Sequence, residues 1–470
     1  MTTVNEENSE NIQTVEQVNV AGDILIEQLF LTTHTGELDL KNFFMQLELN
    51  EDIFSPVLTG HLMIGDAAGL IGTIPILGGE AITLHARTPT LPDNESFAFK
   101  RSFIITGISN RGFTTDREQY YILDFMSPEG VKDNNTKLSQ VLIGTPDKVV
   151  GDLFEKHLGT SRYISTSVPN SPKTGLVLIN APYGPALKFI APYWSPLKIM
   201  NWFATRSVSS SGKAPNMLLF ESNKQFYFTS VEDLIQIQRN SKSLFNQYFW
   251  SDSAVRDPEA GGFSYVASDI GRQYSVIQDI RIDKYVDILK AQDYGFYAST
   301  LLTHDIVLKR YREFTWDYHA NFNTYNHMED YRVKGDTVVS ESGNHQTFRS
   351  DTPRNPSGHR ALHTKHFQMF NDIKDTLVEQ WAVQRNSLLY ELSNIRVNIQ
   401  VPGRTDVEVG RLVYVHFPLG TDRRAEEETN YDPYMSGIYL ITAIRHTITM
   451  NGKHNMTMEL VKDSFRQPVN

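Results

Sequence analysis

The chain contains no cysteine. That excludes a disulfide framework, a thiolate nucleophile and any cysteine-ligated metal. It also lacks a run approaching the ~18 apolar residues that span a bilayer. The longest candidate, Gly69 to Gly79, is short and interrupted by glycine and proline. No lysine or arginine precedes Lys41, so the start has neither the basic region of a secretory signal nor the arginine-rich face of a transit peptide. We therefore expect a protein made and folded in a cytoplasm, with no membrane-spanning segment. Positive charge is scarce: 44 Lys and Arg stand against 55 Asp and Glu, a formal net charge of -11. A surface built to grip duplex phosphates wants the reverse balance. Walker, zincin, Gly-x-Ser-x-Gly and dinucleotide motifs are absent as well, and with them the commonest enzyme signatures.

What the chain does have is an internal echo. Phe103 Ile104 Ile105 Thr106 Gly107 Ile108 leads through a polar turn into Tyr121 Ile122 Leu123 Asp124 Phe125, and Tyr439 Leu440 Ile441 Thr442 Ala443 Ile444 leads likewise into Met456 Thr457 Met458 Glu459 Leu460. Upstream of each lies a glycine opening a β-rich run, Gly79 to Leu84 and Gly410 to Val415. Amphipathic hairpins resemble one another because Ile, Thr and Tyr favour strands everywhere. The repeated order is more specific than that, and it predicts a duplicated module. A chain of 470 residues has room for about three domains.

In chain order, residues 1-22 are polar and too poor in large apolar groups to offset the cost of ordering, so they read as a flexible acidic tail. Residues 23-127 alternate with period two and read as a first small β-barrel, with Asn50 Glu51 Asp52 as a loop. Residues 128-262 mix helices and a hairpin into an α+β domain. Thr145 and Ser195 stand where helix caps belong, each followed by proline at the first helical position. The hairpin turns at Ser222 Asn223 Lys224. A short helix is expected over Lys284 to Ala291, packing through Val286, Ile288 and Leu289. Residues 263-318 read as the start of a second barrel, with Tyr297–Leu302 and Ile306–Thr315 as its opening hairpin. Residues 319-375 are polar and histidine-rich, an insertion or surface excursion. Residues 376-470 complete the second barrel after a helix from Leu377 to Leu392. The fold class is thus α+β, mainly β, with two homologous small antiparallel barrels.

Chemical candidates are few. His359, His363 and His366 would share one side of a helix, as metal ligands can. No fourth ligand accompanies them, and a solvated loop explains them more simply. Ser195 Pro196 Leu197 Lys198 has the letters of a Ser-x-x-Lys nucleophile motif without its partner motifs, and a helix cap accounts for the serine. Trp381 and Arg385, one turn apart, read as packing between helix and barrel. No catalytic residue, cofactor site or firm metal site is therefore assigned.

One resemblance is carried by residue order. Val383 Gln384 Arg385 Asn386 Ser387, Ile395 Arg396 Val397 Asn398 Ile399, Val401 Pro402 Gly403, Val409 Gly410, Pro418 and Ser436 Gly437 Ile438 Tyr439, with Glu459 Leu460, resemble the last barrel of the baseplate hub proteins of contractile-tailed phages. The late control protein D and the valine-glycine repeat proteins of type VI secretion are relatives. Asn50 to Ile53, Gly60 His61 Leu62, Gly79 Glu80, Ser195 Pro196 Leu197 and Phe226 Tyr227 Phe228 are similar to earlier parts of that group. The long histidine-rich excursion and the acidic loop Arg423 to Glu428 depart from it.

The resemblance implies a homotrimer whose two barrels per chain form a pseudo-sixfold ring in the virion tail baseplate. Such a ring adapts a hexameric tail tube to a trimeric central spike, contacts baseplate wedge proteins, and lets phage DNA pass during ejection. It implies a structural protein rather than an enzyme, assembled in the host cytoplasm. The chain's end soon after the second barrel favours a separate spike, hence a phage. A related contractile injector or secretion hub and a receptor-binding tail module are the alternatives.

Overall fold

The computed structural model describes residues 20–34, 36–74, 76–93, 97–115, 118–159, 176–178, 186–210, 213–240, 246–250, 256–257, 262–263, 270–305, 309–332, 336–338, 347–349, 360–365, 378–417 and 431–467. It is mainly β with added helices, an α+β fold dominated by one sheet of 14 strands. The expected acidic tail before Val20 and the loop Arg423 to Glu428 lie outside the described residues.

The first β-module holds strands Leu25–Thr33, Gly36–Asp39, Phe44–Asp52, Thr59–Asp66, Ala81–Arg87, Ala98–Thr115 and Glu118–Met126. Their period-two pattern sends Leu47, Leu49, Leu62, Ile64, Tyr121, Leu123 and Phe125 into one core, as alternating side chains of a half-buried strand must. Asn50, Glu51 and Asp52 belong to the strand rather than to a loop. The unbroken alternation carries the ladder on to Asp52.

The second module is assembled from distant segments. Asp279–Tyr285 pairs with Ile395–Pro402, which pairs with His454–Lys462. Next come Gly437–Thr449, Leu412–His416 and Asn246–Trp250. The last pairs with Val276–Ile277, which runs directly into Asp279. The ladder thus returns to its start around a core that includes Val397, Ile399, Val413, Tyr439, Ile441, Met458 and Leu460.

Several expectations are corrected here. Asn246–Trp250 falls in the second module and not in the α+β domain, because its edge pairs in parallel with Leu412–His416. The helix expected over Lys284 to Ala291 is a strand up to Tyr285, followed by a helix at Ile288–Asp293 that Asp287 caps through the Lys290 N–H at 3.1 Å. Leu289 is exposed instead of packed. The hairpin Ala298–Asp305 and Arg310–Asp317 forms, but it joins Arg360–Lys365 in a separate sheet. Leu301 and Trp316 on it pack against Val378 and Val383 of the helix Val378–Leu392, which diverts it from the second module's core. Residues 319–332 are no surface excursion either. Phe322, His327 and Met328 are buried, and the Met328 N–H donates to Asp463 Oδ1 at 3.2 Å.

Between the modules lies a middle region with its own core, built from helices Pro146–Leu153 and Pro196–Ala204 and the hairpin Met217–Glu221/Phe226–Ser230. Both helices start with proline as expected, yet neither Thr145 nor Ser195 makes the capping bond. Asp133 takes that role at the second helix, accepting from the Leu197 N–H at 2.6 Å. Arg385 donates to the carbonyls of Pro215 and Met217, both at 2.8 Å. The long helix is thereby pinned to the middle region at Arg385, and Trp381 packs beside Leu301 and Trp316, so neither makes the packing between helix and barrel that was expected.

Candidate functional site

The site is the seam where the two modules share one sheet, together with the polar face that crosses it. Gly437–Thr449 is longer than its partner Leu412–His416, so its second half needs another neighbour. Phe44–Asp52 supplies it, antiparallel, from Ala443 opposite Asp52 to Thr449 opposite Gln46. The Ile53 N–H extends the seam by donating to the Thr442 carbonyl at 2.9 Å. Ile448 crosses the seam and is buried in the first module's core at 1% exposure.

The duplication is visible bond by bond. Ile105 faces Phe125 and, after a one-residue bulge, Gly107 faces Asp124; Ile441 faces Leu460 and, after the same bulge, Ala443 faces Glu459. The bulged threonine in each copy donates its hydroxyl to the opposite carbonyl. Thr106 reaches Asp124 at 3.1 Å and Thr442 reaches Glu459 at 3.2 Å. In each copy a positive-φ glycine donates its N–H to the isoleucine before the bulge, Gly79 to Ile105 at 2.8 Å and Gly410 to Ile441 at 2.9 Å. The flanking strands match too, Ile82 opposite Phe103 and Val413 opposite Tyr439. Bulges are positional devices that re-aim a strand, and finding the same one twice explains the repeated Thr-small-Ile.

On the side away from the cores the seam is polar. Glu48 and Asp52 come from one strand, Asp124 and Glu459 from the paired hairpins, with Arg396 and Arg445 interspersed. His61 Nδ1 lies 2.6 Å from Asp124 Oδ1, and Arg396 lies 3.6 Å from Glu459. Burial raises the Asp52 carboxyl above its ordinary value, with the Glu459 charge adding to it. A groove of about 580 Å³ follows this face, lined among others by Asn50, Asp52, Arg281, Asn398, Arg445 and Glu459. Its charge is mixed and carboxylate-rich, so it offers phosphates no continuous basic track.

Behind the seam is a buried polar chain that sequence reasoning missed. His446 Nδ1 is 3.0 Å from His454 Nε2, and His446 Nε2 is 3.3 Å from Glu51 Oε1. Burial, reinforced by the nearby Glu408 carboxylate, pushes Glu51 up to about 8, and burial drives His446 down to about 3. The three groups are therefore neutral near pH 7. A protonated Glu51 donates to His446, whose other nitrogen donates to His454. The hairpin turn from the middle region caps this chain: the Asn223 N–H donates to Glu51 Oε2 at 3.1 Å and the Ser222 hydroxyl donates to Glu408 at 2.9 Å. Next to it Arg101 pairs with Glu221, which also accepts from the Leu58 N–H at 2.9 Å. The signal for Glu51 was present in the sequence, since it shares parity with Leu47 and Leu49.

The sequence-based chemical candidates lie elsewhere. His363 sits in the strand Arg360–Lys365, where neighbours alternate sides, so the helical spacing behind the three-histidine idea does not apply; His359 and His366 lie outside the described residues. Lys198 stands over the Trp194 ring at 4.7 Å rather than beside a nucleophile. Glu27, His85 and Asp93 approach one another closely enough for a metal. Arg87 and Lys100 already pair with Glu27 and Asp93 at 2.7 and 2.8 Å, neutralising the carboxylates.

No protein-family model matches the chain, and no curated protein matches it by sequence. Solved structures do. A tail protein from Neisseria meningitidis superposes with a TM-score of 0.50 at 11% identity, covering 94% of this chain and 99% of that one. A 43 kDa tail protein of prophage MuSo2 from Shewanella oneidensis gives 0.48 at 8% identity over 93% and 98%. An Escherichia coli component of the type VI secretion system gives 0.41 at 8% identity over 95% and 78%. The chain shares its fold with the Neisseria tail protein along nearly the whole length of both.

Proposed function

We propose that the protein is a structural hub of a contractile tail baseplate. Three copies form a ring of six like modules, joining a sixfold tail tube on one side to a threefold spike on the other. The observation that carries this reading is the seam: two bulge-for-bulge copies of one module, already joined edge to edge within a single sheet. Repetition of that junction by rotation generates a closed ring, because a head-to-tail contact closes when its rotation divides the circle. The likeness of fold to a tail protein supports the same reading. The polar, carboxylate-rich face then lines the bore, and DNA passes it during ejection without being held. Wedge proteins contact the outer rim. The role is assembly and passage, with no turnover assigned, in the baseplate of a virion assembled in its host's cytoplasm.

Electron microscopy of the purified protein tests this reading. Top views of rings with six near-equal lobes and a central opening are expected. Compact single particles under conditions where spike and tube proteins are also present would overturn it.

A further inference from the structure

The seam within the chain is a template for a second seam that the chain leaves open. Transferring register through the shared bulge makes Ser109 the counterpart of Arg445, Gly112 of Thr447 and Phe113 of Ile448, because each faces the matching residue of its hairpin partner. In the same way Ile280 corresponds to Leu47, Arg281 to Glu48, Ile282 to Leu49 and Lys284 to Asn50. Among the described residues, nothing pairs with the outer edge of Ser109–Thr114 or with that of Asp279–Tyr285.

Exposure marks both edges as unfinished. Ile448 is 1% exposed, but its counterpart Phe113 is 71% exposed. Leu49 is 1% exposed, but its counterpart Ile282 is 53% exposed. Thr442 is buried while Thr106 is exposed. An uncovered strand edge carrying large apolar groups invites another strand. The two edges also share an irregularity. Relative to the internal seam, Ala98–Thr115 carries one extra residue between Ser109 and Gly112, and Asp279–Tyr285 carries one between Ile282 and Lys284. In the transferred register these insertions stand opposite each other, so pairing stays in step on both sides. They bring Asn110 opposite Asp283 and Arg111 opposite Ile282.

We propose that the edge Ser109–Thr114 of one copy pairs antiparallel with the edge Asp279–Tyr285 of a second copy. Ser109 faces Lys284, Phe113 faces Ile280, and the Phe113 ring enters the second module of the neighbour as Ile448 enters the first module within the chain. Along the run of pairings from Asp279–Tyr285 through Ile395–Pro402, His454–Lys462, Gly437–Thr449, Phe44–Asp52, Thr59–Asp66 and Glu118–Met126 to the second half of Ala98–Thr115, the two edges face opposite ways, so they meet between copies, and the contact is head to tail. This assignment rests on the ring reading above and specifies its subunit contact.

Because the chain has no cysteine, paired cysteines report the register cleanly. In the double variant Ser109→Cys/Lys284→Cys, mild oxidation should give covalent trimers and dimers on non-reducing gels. The off-register pair Ser109→Cys/Asp279→Cys should not. Phe113→Asp should weaken association on the order of 100-fold per junction, the loss expected when one buried aromatic is withdrawn. Its monomer should melt like the wild type, since the ring is already exposed there. A wild-type trimer in which the in-register pair fails to cross-link, or in which Phe113→Asp leaves the trimer intact, overturns the edge assignment while the ring stands. A wild type that is monomeric at every concentration, alone and with a spike protein, together with an in-register cysteine pair that does not cross-link, overturns both.

Discussion

Among the carboxyls, Glu51 makes the largest upward-shifted contribution to how stability depends on pH, beside Glu221 and Glu391, which burial pushes up to about 7. The Glu51 carboxyl has an ordinary value of 4.5 and is pushed up to about 8 by burial, with the Glu408 carboxylate second. Between these values the folded chain keeps a proton that the unfolded chain has released. Stability therefore falls as pH rises through that window, by about 1.4 kcal/mol per pH unit, reaching about 3 kcal/mol at pH 7 and about 5 kcal/mol at pH 8. Glu51→Gln removes the titrating proton but keeps its bonds: the amide oxygen accepts from Asn223 and the amide N–H donates to His446 in place of the carboxyl O–H. We expect the variant to match the wild type near pH 5 and to exceed it by several kcal/mol near pH 8. On the acid side both proteins should lose stability as pH falls from 6.5 toward 3, because His446 is neutral when folded and protonated when unfolded. The assay is urea unfolding followed by tryptophan fluorescence across that range. A variant as pH-sensitive as the wild type above pH 6, or less stable at pH 8, would show that Glu51 is ionised in the fold and that the neutral chain described here is wrong.

Other expectations concern the seam and the duplication. Ile448→Ala should cost about 2–4 kcal/mol in the isolated chain, the usual penalty for emptying a filled core position, whereas Phe113→Ala should leave the melting temperature of the monomer unchanged; calorimetry under dissociating conditions compares them. Gly410 and Gly79 both hold positive φ, +81° and +97°, so alanine at either should cost about 1–2 kcal/mol of backbone strain. Gly410→Ala should be the worse of the two by denaturant midpoint, because its new methyl would stand 3.3 Å from Phe220 while that of Gly79 meets nothing within 4 Å.

How much of this was legible beforehand depends on how local the cause was. The hairpin repeat could be read because Thr106 and Thr442 mark a bulge, a local feature whose residues are adjacent in sequence. The seam could not, since Ile448 and Leu47 are alike to any pattern and only the pairing of two strands remote in sequence brings them together. Asp279–Tyr285 is not legible as a strand, and its last two residues fall in the helix expected over Lys284 to Ala291. Its apolar positions Ile280 and Ile282 are separated by charge, and Ile282 is uncovered in the isolated chain, so it does not look like a core strand. Asn246–Trp250 pairs in parallel with a strand well over a hundred residues later, a connection that no turn signal announces. Glu51 was overlooked because a carboxylate near a presumed loop looked solvated, although its parity placed it inward. His363 reads as part of a solvated loop, with a helical grouping as the alternative, because its strand partner, Thr303, is remote in sequence.

The central claim is that this chain makes a threefold ring, and its mass in solution tests that most directly. Light scattering of the purified protein, alone and with a spike protein, should give three times the 53.6 kDa of the chain in at least one of the two conditions. A mass of one chain in both would contradict the ring and, with it, the role of hub.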